Sequence, residues 1–524
     1  MLNRAPTPVL WALLGLPFLP ACSTGSGSSR GLVIDGDTGD WRSGMVTQAD
    51  GDALYFRFSP GRAGTLQAND ETTRLVFDLD NDPATGKTLA GPPEVGTLGV
   101  DLEILFSPPL AELPPDEASR IVNRRAQRGE PASDFTTGTT IVRHGPGGVI
   151  TRHNHADAGF LSGPTYAADW FEARLDRHAA ALAGSGLDRA GTGRGIVLIT
   201  DGRGEVARYS DPFSFILPEP FTDTGPSHAA IPAQAPGTIR VMSMNVLRGK
   251  PITEPAPFAR LIAAVAPDVI LFQEADDMTS DSLESWLTGY VGPIAGKHEW
   301  SESVQGLSGG SGSWDAVAMP DLGVAIATPH LIAEDYTAPV TIADPDSGRE
   351  RPVRAVFAMI STPAGDILAC STHLKCCGSA GSLEDRIRYA ETEAINARFA
   401  ELAEFVTALT GRDIEARIVG GDMNLVGTRG PLETLGAGIG PRGGDLTPVD
   451  APVLGDNVAY TWRDDRSAFG PGRLDWILAG DARVERAFAL DTRLIDPAVL
   501  AQVGLEPADS AVSDHLPLVV DLKP

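Results

Sequence analysis

Two patterns of apolar and polar positions follow one another along the chain. Between Gly31 and Leu217 the runs are short, as in ALYFRFS (residues 53–59) and RLVFDLD (74–80), with apolar and polar positions alternating and Gly, Asp and Pro between them. A period of two with such punctuation predicts antiparallel strands, so residues 31–217 are expected to form an all-β sandwich domain. From Thr238 the pattern changes. TIRVMSMNV (238–246) reads as a strand, PFARLIAAVAP (257–267) as a helix with apolar spacing, and DVILFQEAD (268–276) as a buried strand running into acids. RAVFAMIST (354–362), DILACSTHL (366–374), ARIVGGDMN (416–424), RLDWILAG (473–480) and LPLVVDL (516–522) predict further strands, and residues 383–411 a long amphipathic helix. Mixed strands and helices of this kind predict a layered α/β sandwich over residues 238–524. Residues 218–237 are rich in Pro, Ala and Gly with no period, which predicts a linker between two independently folding units.

The strand ends of the second half share a property. Each apolar run finishes in acids, amides or imidazoles: Asn245, Glu274, His373, Asp422 with Asn424, Asp475, and Asp514 with His515 in SDHLP (513–517). Any one of these is an ordinary turn or helix cap. Six such places in one domain predict a shared site, and the chemistry they fit is cleavage of a phosphate ester with a divalent cation. Mg²⁺ takes a few carboxylate or amide oxygens and keeps its waters, so Glu274, Asn245 and Asp514 are candidate metal ligands, with Mn²⁺ or Ca²⁺ as alternative ions. An attacking water must lose a proton, which a neutral imidazole oriented by a carboxylate accepts near pH 7. His515 with Asp475 is the candidate pair. His373 is a candidate for contacting the phosphate or protonating the leaving oxygen, and Lys375 for adding positive charge at the phosphate.

SMNV, FQEAD, STHLK, GGDMN, RLDW and SDHLP, in this order, resemble the motifs of the endonuclease/exonuclease/phosphatase superfamily over residues 238–522. The resemblance implies a deoxyribonuclease I-like, four-layered α/β sandwich of two packed sheets, with the site at one end and Mg²⁺ bound mainly through Glu274. It also assigns Asp422 and Asn424 to the attacking water and phosphate, and the Asp475–His515 pair to proton transfer. The chain departs from many relatives at GVAIATPH (323–330), where they carry a Ser-Arg pair. In the first half, IDGDTGDW (34–41) followed by LVFDLDNDPATG (75–86) resembles carbohydrate-binding β-sandwich modules of the family 9 and DOMON-like type. That resemblance implies a glycan partner and a calcium site, for which Asp78, Asp80, Asn81 and Asp82 are the candidate ligands; the same residues also build ordinary turns.

Composition narrows the substrate and the place of action. The chain carries 42 Lys and Arg against 69 Asp and Glu, and residues 238–524 carry 23 against 41. Such a field repels a polyanion unless the basic groups gather on one face, so a small or lipid phosphodiester is expected rather than nucleic acid. An extracellular nuclease is the alternative. A catalytically inactive, surface-binding lipoprotein is the alternative of another class, disfavoured because both imidazoles and their acids are present. At the start, Arg4, the apolar stretch 9–19 and LPAC followed by STGSGSS resemble a bacterial lipoprotein signal, with Pro20 a departure from its usual pattern. This implies a lipidated Cys22 after a signal over residues 1–22, and a protein anchored to the membrane of a bacterial cell envelope, facing the periplasm or exterior. Cys370 is expected to be a small buried hydrophobe, and Cys376 and Cys377 to be free thiols beside the site. His144, His153 and His155 have no partner cysteine close in sequence and are expected on surface loops rather than on zinc. Trp41, Trp170 and Phe171 are expected in the core.

Overall fold

The alternating runs of the first half pair antiparallel into two sheets in the computed structural model, which describes residues 31–524 except 69–70, 92–94, 128–135, 223–224, 299–312 and 411–412. Cys22 and the expected signal over residues 1–22 lie outside the described residues. The smaller sheet has the strands Thr47–Ala49, Ala53–Phe58, Phe171–Asp176 and Phe160–Gly163 in that order; the larger centres on Gly191–Asp201, Glu71–Asp78, Leu102–Phe106 and Thr139–His144. Facing side chains form an aromatic-rich core of Phe56, Phe58, Phe77, Phe106, Phe160 and Phe171, in which Phe56 meets Phe77 edge-on at 5.2 Å between ring centroids. Glu71–Asp78 is buried on both faces instead of alternating. The hairpin of Lys87–Ala90 with Thr97–Val100 lays Leu98 and Val100 against Val76 on the outer face.

Two surface expectations for this half are corrected by partners distant in sequence. His144 is buried with Nε2 2.7 Å from Glu103 Oε1, and His155 is buried with Nε2 3.2 Å from Ser467 O, so protein groups replace the water a loop imidazole would have. Trp41 and Phe171 are in the core, but Trp170 is 42% exposed, its ring beside the Arg57 guanidinium.

The second half forms two six-stranded sheets. One has the order Asp315–Met319, Val324–Thr328, Val269–Gln273, Ile239–Asn245, Leu518–Lys523, Arg483–Ala489; the other has Leu331–Asp335, Ala355–Thr362, Gly365–His373, Ala416–Asp422, Asp475–Gly480, Thr447–Pro448. They pack face to face through Val241, Leu271, Ile326 and Val520 on one side and Val356, Ile418 and Ile477 on the other. Helix Pro255–Val265 buries Phe258, Leu261, Ile262 and Val265, the three- and four-residue spacing of one helical face, and with Ser280–Trp286 covers the first sheet. Helices Leu383–Thr410 and Gly430–Gly436 cover the second with Ile395, Phe399 and Leu432. The order of layers is helix, sheet, sheet, helix, the four-layered sandwich that the sequence resemblance implies.

Pro218 O and Phe221 N bond the first half, to Arg177 Nη2 (2.8 Å) and Gly51 O (3.1 Å), whereas residues 227–237 lie along the second, with Ser227 N donating to Leu494 O (2.7 Å) and Arg240 Nη2 to Pro232 O (2.9 Å). The two halves also share an apolar cluster, in which Leu32, Ile34, Trp41 and Tyr55 pack with Val453, Val458, Tyr460 and Leu516. Beside it Arg174 forks onto the Asp456 carboxylate and also donates to Asn457 Oδ1 (2.7 Å), with the two charged side chains 18% and 16% exposed. Removing one member of so enclosed a pair leaves a charge without its partner. Arg174→Leu is therefore expected to cost about 3 kcal/mol in chemical denaturation, and Asp456→Ala added to it much less than it costs alone; additive losses would show that the pair contributes nothing.

Candidate active site

Strand register gathers the motif residues. Asn245 ends a strand whose parallel neighbour ends at Gln273, the residue before Glu274. In the other sheet His373 pairs with Asp422 in parallel and Asp422 with Asp475 antiparallel, so three titratable groups stand at one height on adjacent strands. Leu518 pairs with Ser243, and Ser513 Oγ donates to Asn245 O (2.9 Å), which holds Asp514 and His515 beyond the same edge. Glu274 (φ 53°) and Asn424 (φ 48°) both adopt the left-handed conformation, costly for a residue with a Cβ and concentrated where a side chain must be aimed. Gly421 takes φ 146°, and a Cβ there would run into Thr372 O; glycine lets Asp422 stand beside His373. Under the site a buried polar layer ties the sheets together: Gln273 Nε2 donates to Ser371 Oγ (3.1 Å), and Ser371 Oγ to Phe272 O (2.9 Å).

Asp422 is the centre of the cluster. Its Oδ2 accepts from Asn245 Nδ2 (3.1 Å) and lies 3.4 Å from His373 Nε2 and 3.6 Å from His515 Nε2, while Oδ1 accepts from Asn424 N (3.0 Å). On its far side His515 Nδ1 is 2.7 Å from Asp475 Oδ2, and Asp475 N donates to Thr461 Oγ1 (2.8 Å). Burial favours the neutral form of His515, but the charges of Asp475 and Asp422 outweigh it and raise the imidazole above its ordinary range. Asp422 is itself raised, chiefly by burial, with His515 opposing and Asp475 adding repulsion. The two carboxylates thus favour the protonated ring of His515 over the neutral one.

His373 is the opposite case. Arg354 Nη1 donates to its Nδ1 (2.9 Å), which leaves the ring proton on Nε2, and burial with the Arg354 charge depresses its pKa well below the usual value. His373 is therefore a neutral hydrogen-bond donor, suited to contacting a phosphate oxygen and unsuited to protonating a leaving group. Arg354 is a residue that the sequence reading missed. It precedes a strand as an ordinary surface arginine would, and only the register pairing Ala355 with Thr372 sets it beside His373.

The candidate metal ligands are oxygen-rich. Glu274 Oε1 accepts from Asn245 Nδ2 (3.3 Å) and Oε2 from Arg248 N (3.1 Å). Asp514 Oδ2 accepts from Trp462 Nε1 (3.0 Å), while its Oδ1 is buried without a hydrogen-bond partner among the described residues. A carboxylate oxygen left in that condition fits a hard cation. Among the described residues of the second half, the ligand-type atoms that lie within 4.8 Å of one another are instead those of Asp422, Asp475 and His515, of which His515 hydrogen-bonds Asp475 and stands 3.6 Å from Asp422. Lys375 sits on the loop after His373 with Nζ 4.0 Å from Cys376 Sγ; Cys376 and Cys377 are thiols 3.0 Å apart, and Cys370 is fully buried. The departure at GVAIATPH stands at the other end of the sheet, where Thr328 and His330 both bond Asp268.

In the first half the acidic group differs from the one expected. Carboxylate oxygens of Asp78 and Asp80 come within 4.8 Å of Asp101, whereas Asn81 is an exposed turn residue and Asp82 Oδ1 accepts from Ala84 N. Asp101 belongs to a neighbouring segment, and its carboxyl is pushed up to about 6 by burial and by the charges of Asp80 and Asp78. Asp78 Oδ1 is buried with no partner among the described residues.

The family model described as Endonuclease/Exonuclease/phosphatase family matches residues 242–515. No curated protein sequence matches the chain. Among solved structures, the chain is similar to the human Nocturnin catalytic domain with bound sulfate anion, at 19% identity over 55% of this chain and 96% of that chain, with a TM-score of 0.32. It is similar to a mannosyl-6-phosphatase of Bacteroides thetaiotaomicron at 16% identity over 54% and 99%, with a TM-score of 0.34, and to beta toxin from Staphylococcus aureus at 19% identity over 54% and 99%, with a TM-score of 0.30.

The charge state of His515 is open to direct test. In protein stripped of divalent ions, the His515 ring should stay doubly protonated from about pH 6 to about pH 8 by nitrogen NMR, and Asp475→Asn should lower its midpoint by ~1 unit or more. A ring that loses its proton near pH 6.5 in both proteins would remove the role given to Asp475.

Proposed function

Since the chain belongs to the Endonuclease/Exonuclease/phosphatase family, whose members hydrolyse phosphate esters, we propose that it is an envelope-anchored, divalent-metal-dependent phosphodiesterase acting on a small or lipid phosphate ester by water attack. The observation that carries this reading is the convergence of Asn245, Glu274, His373, Asp422, Asn424, Asp475, Asp514 and His515 at one end of the paired sheets. Glu274 and Asp514 would hold Mg²⁺, which would supply positive charge to the phosphoryl and leaving oxygens. Asn245 instead points its Nδ2 at the Glu274 and Asp422 carboxylates while its Oδ1 accepts from Leu247 N (3.0 Å), and so positions Glu274. His373 donates a hydrogen bond from Nε2 to a phosphate oxygen, Asn424 orients the phosphate, and Lys375 adds charge from the neighbouring loop. Asp422 and the Asp475–His515 pair together take the proton of the attacking water. The excess of 41 acidic over 23 basic residues in 238–524 favours a substrate with few charges over a nucleic acid. Anchoring through Cys22 completes the proposal. Asp78, Asp80 and Asp101 are proposed as a calcium site of the first half, because a cation would satisfy Asp78 Oδ1, whose partner oxygen Oδ2 already accepts from Arg194.

Soluble protein from residue 23 onward should hydrolyse a small or lipid phosphodiester with Mg²⁺ when offered nucleic acids, sphingomyelin, other phospholipids and small phosphate esters. Cleavage of nucleic acid alone would establish the nuclease alternative, and no cleavage with Mg²⁺, Mn²⁺ or Ca²⁺ the binding-protein alternative. On the ester found, His515→Ala should lower turnover roughly 10² to 10⁴-fold, with Asp475→Ala adding little to it. Glu274→Gln should instead raise the Mg²⁺ concentration for half-saturation about tenfold or more in calorimetric titration.

A further inference from the structure

The first half reaches into the loops that carry the site. In the stretch that connects Asp422 to Asp475, several backbone carbonyls face donors from the β-sandwich. Thr165 Oγ1 donates to Leu425 O (2.7 Å), Ala167 N to Gly427 O (2.7 Å), Asn154 Nδ2 to Asp465 O (3.3 Å) and Thr139 N to Ala468 O (2.7 Å), and His155 Nε2 lies 3.2 Å from Ser467 O. Thr165 also packs its methyl where a Cβ of Gly472 would be, and its hydroxyl lies 3.4 Å from Arg473 O.

Those loops fix the motif residues. Leu425 follows Asn424 directly. Gly472 exchanges backbone hydrogen bonds with Trp462 and accepts from Thr461 N, and Thr461 Oγ1 in turn accepts from the N–H groups of Leu474 (3.0 Å) and Asp475 (2.8 Å). Trp462 bridges to His515 and donates its indole N–H to Asp514. A buried carbonyl deprived of its donor shifts toward another, and here the shift passes within a few bonds to Asn424, Asp475 and Asp514.

We propose that Thr165 of the β-sandwich is a positioning residue of the phosphoesterase site, acting through Leu425 and Gly472 on Asn424 and Asp475. The inference rests on the phosphoesterase reading and makes the first half part of the catalytic apparatus rather than only an attached binding module. Thr165 touches no reacting atom. Its effect is on geometry, and misplacement of catalytic groups by a fraction of an ångström lowers turnover more than binding.

The test uses the whole soluble protein and the ester that the parent hydrolyses. Thr165→Val keeps the shape and removes the hydroxyl, and it should lower kcat about tenfold with KM within about twofold of the parent, at a temperature where thermal melts show the variant folded. Thr165→Ser, which keeps the hydroxyl, should recover kcat to within about threefold. Gly472→Ala should lower kcat likewise by colliding with the Thr165 methyl, and combining it with Thr165→Ser, which deletes that methyl, should restore it. An active parent with Thr165→Val at full turnover, or a serine variant as impaired as the valine, overturns the proposal. A parent that hydrolyses no ester sinks the phosphoesterase reading, and this one with it.

Discussion

The Asp422 carboxylate has almost no contact with solvent, and Asn245, Asn424 and both imidazoles of the site are arranged around it. Asn245 reaches it from one sheet, His373 from the neighbouring strand of the other, and His515 from the segment before the last strand. Burial makes Asp422 bind a proton more tightly than a surface aspartate, and the charges of Asp475 and Asp422 raise His515 against its own burial. The two sheets could pack through their apolar faces in several relative positions; the Asn245–Asp422 hydrogen bond and the Gln273–Ser371 layer beneath it require one. The apolar interior supplies adhesion, and the polar end supplies alignment.

The division of labour between the two imidazoles follows from their partners. His373 meets a guanidinium and stays neutral; His515 meets two carboxylates and gains a proton. Both rings are buried to a similar degree, so burial alone would have given them the same state, and the nearest charge decides between them. The same reasoning links the two halves of the chain. The apolar cluster around Ile34 and Tyr460 brings the β-sandwich against the catalytic half, after which Arg174, Thr165, Asn154 and Thr139 satisfy groups that the catalytic half cannot satisfy for itself.

Much of this was legible in the sequence. The change from a period of two to alternating strand and helix spacing marked the two halves, and the polar residues that end apolar runs marked the site, because both depend on local periodicity and on the chemistry of individual side chains. Arg354, Thr461, Trp462 and Asp101 gave no such signal. Each looks like an ordinary turn or surface residue, and each acquires its role from a partner that sheet register or loop packing brings from elsewhere. The calcium candidates show the limit clearly: sequence adjacency suggested Asn81 and Asp82, but both are exposed, and the third acid, Asp101, comes from the link between two other strands.

The sequence by itself determined the layered architecture of the second half, the strand pattern of the first, and the identity of the acids, amides and imidazoles at the strand ends, since these follow from backbone periodicity and side-chain type. Only the tertiary structure decided which imidazole is charged, which carbonyls the β-sandwich holds, and that Asp422 stands at the meeting point of both sheets. Those properties are electrostatic and geometric relations between distant segments, and they exist only once register and packing have fixed the distances.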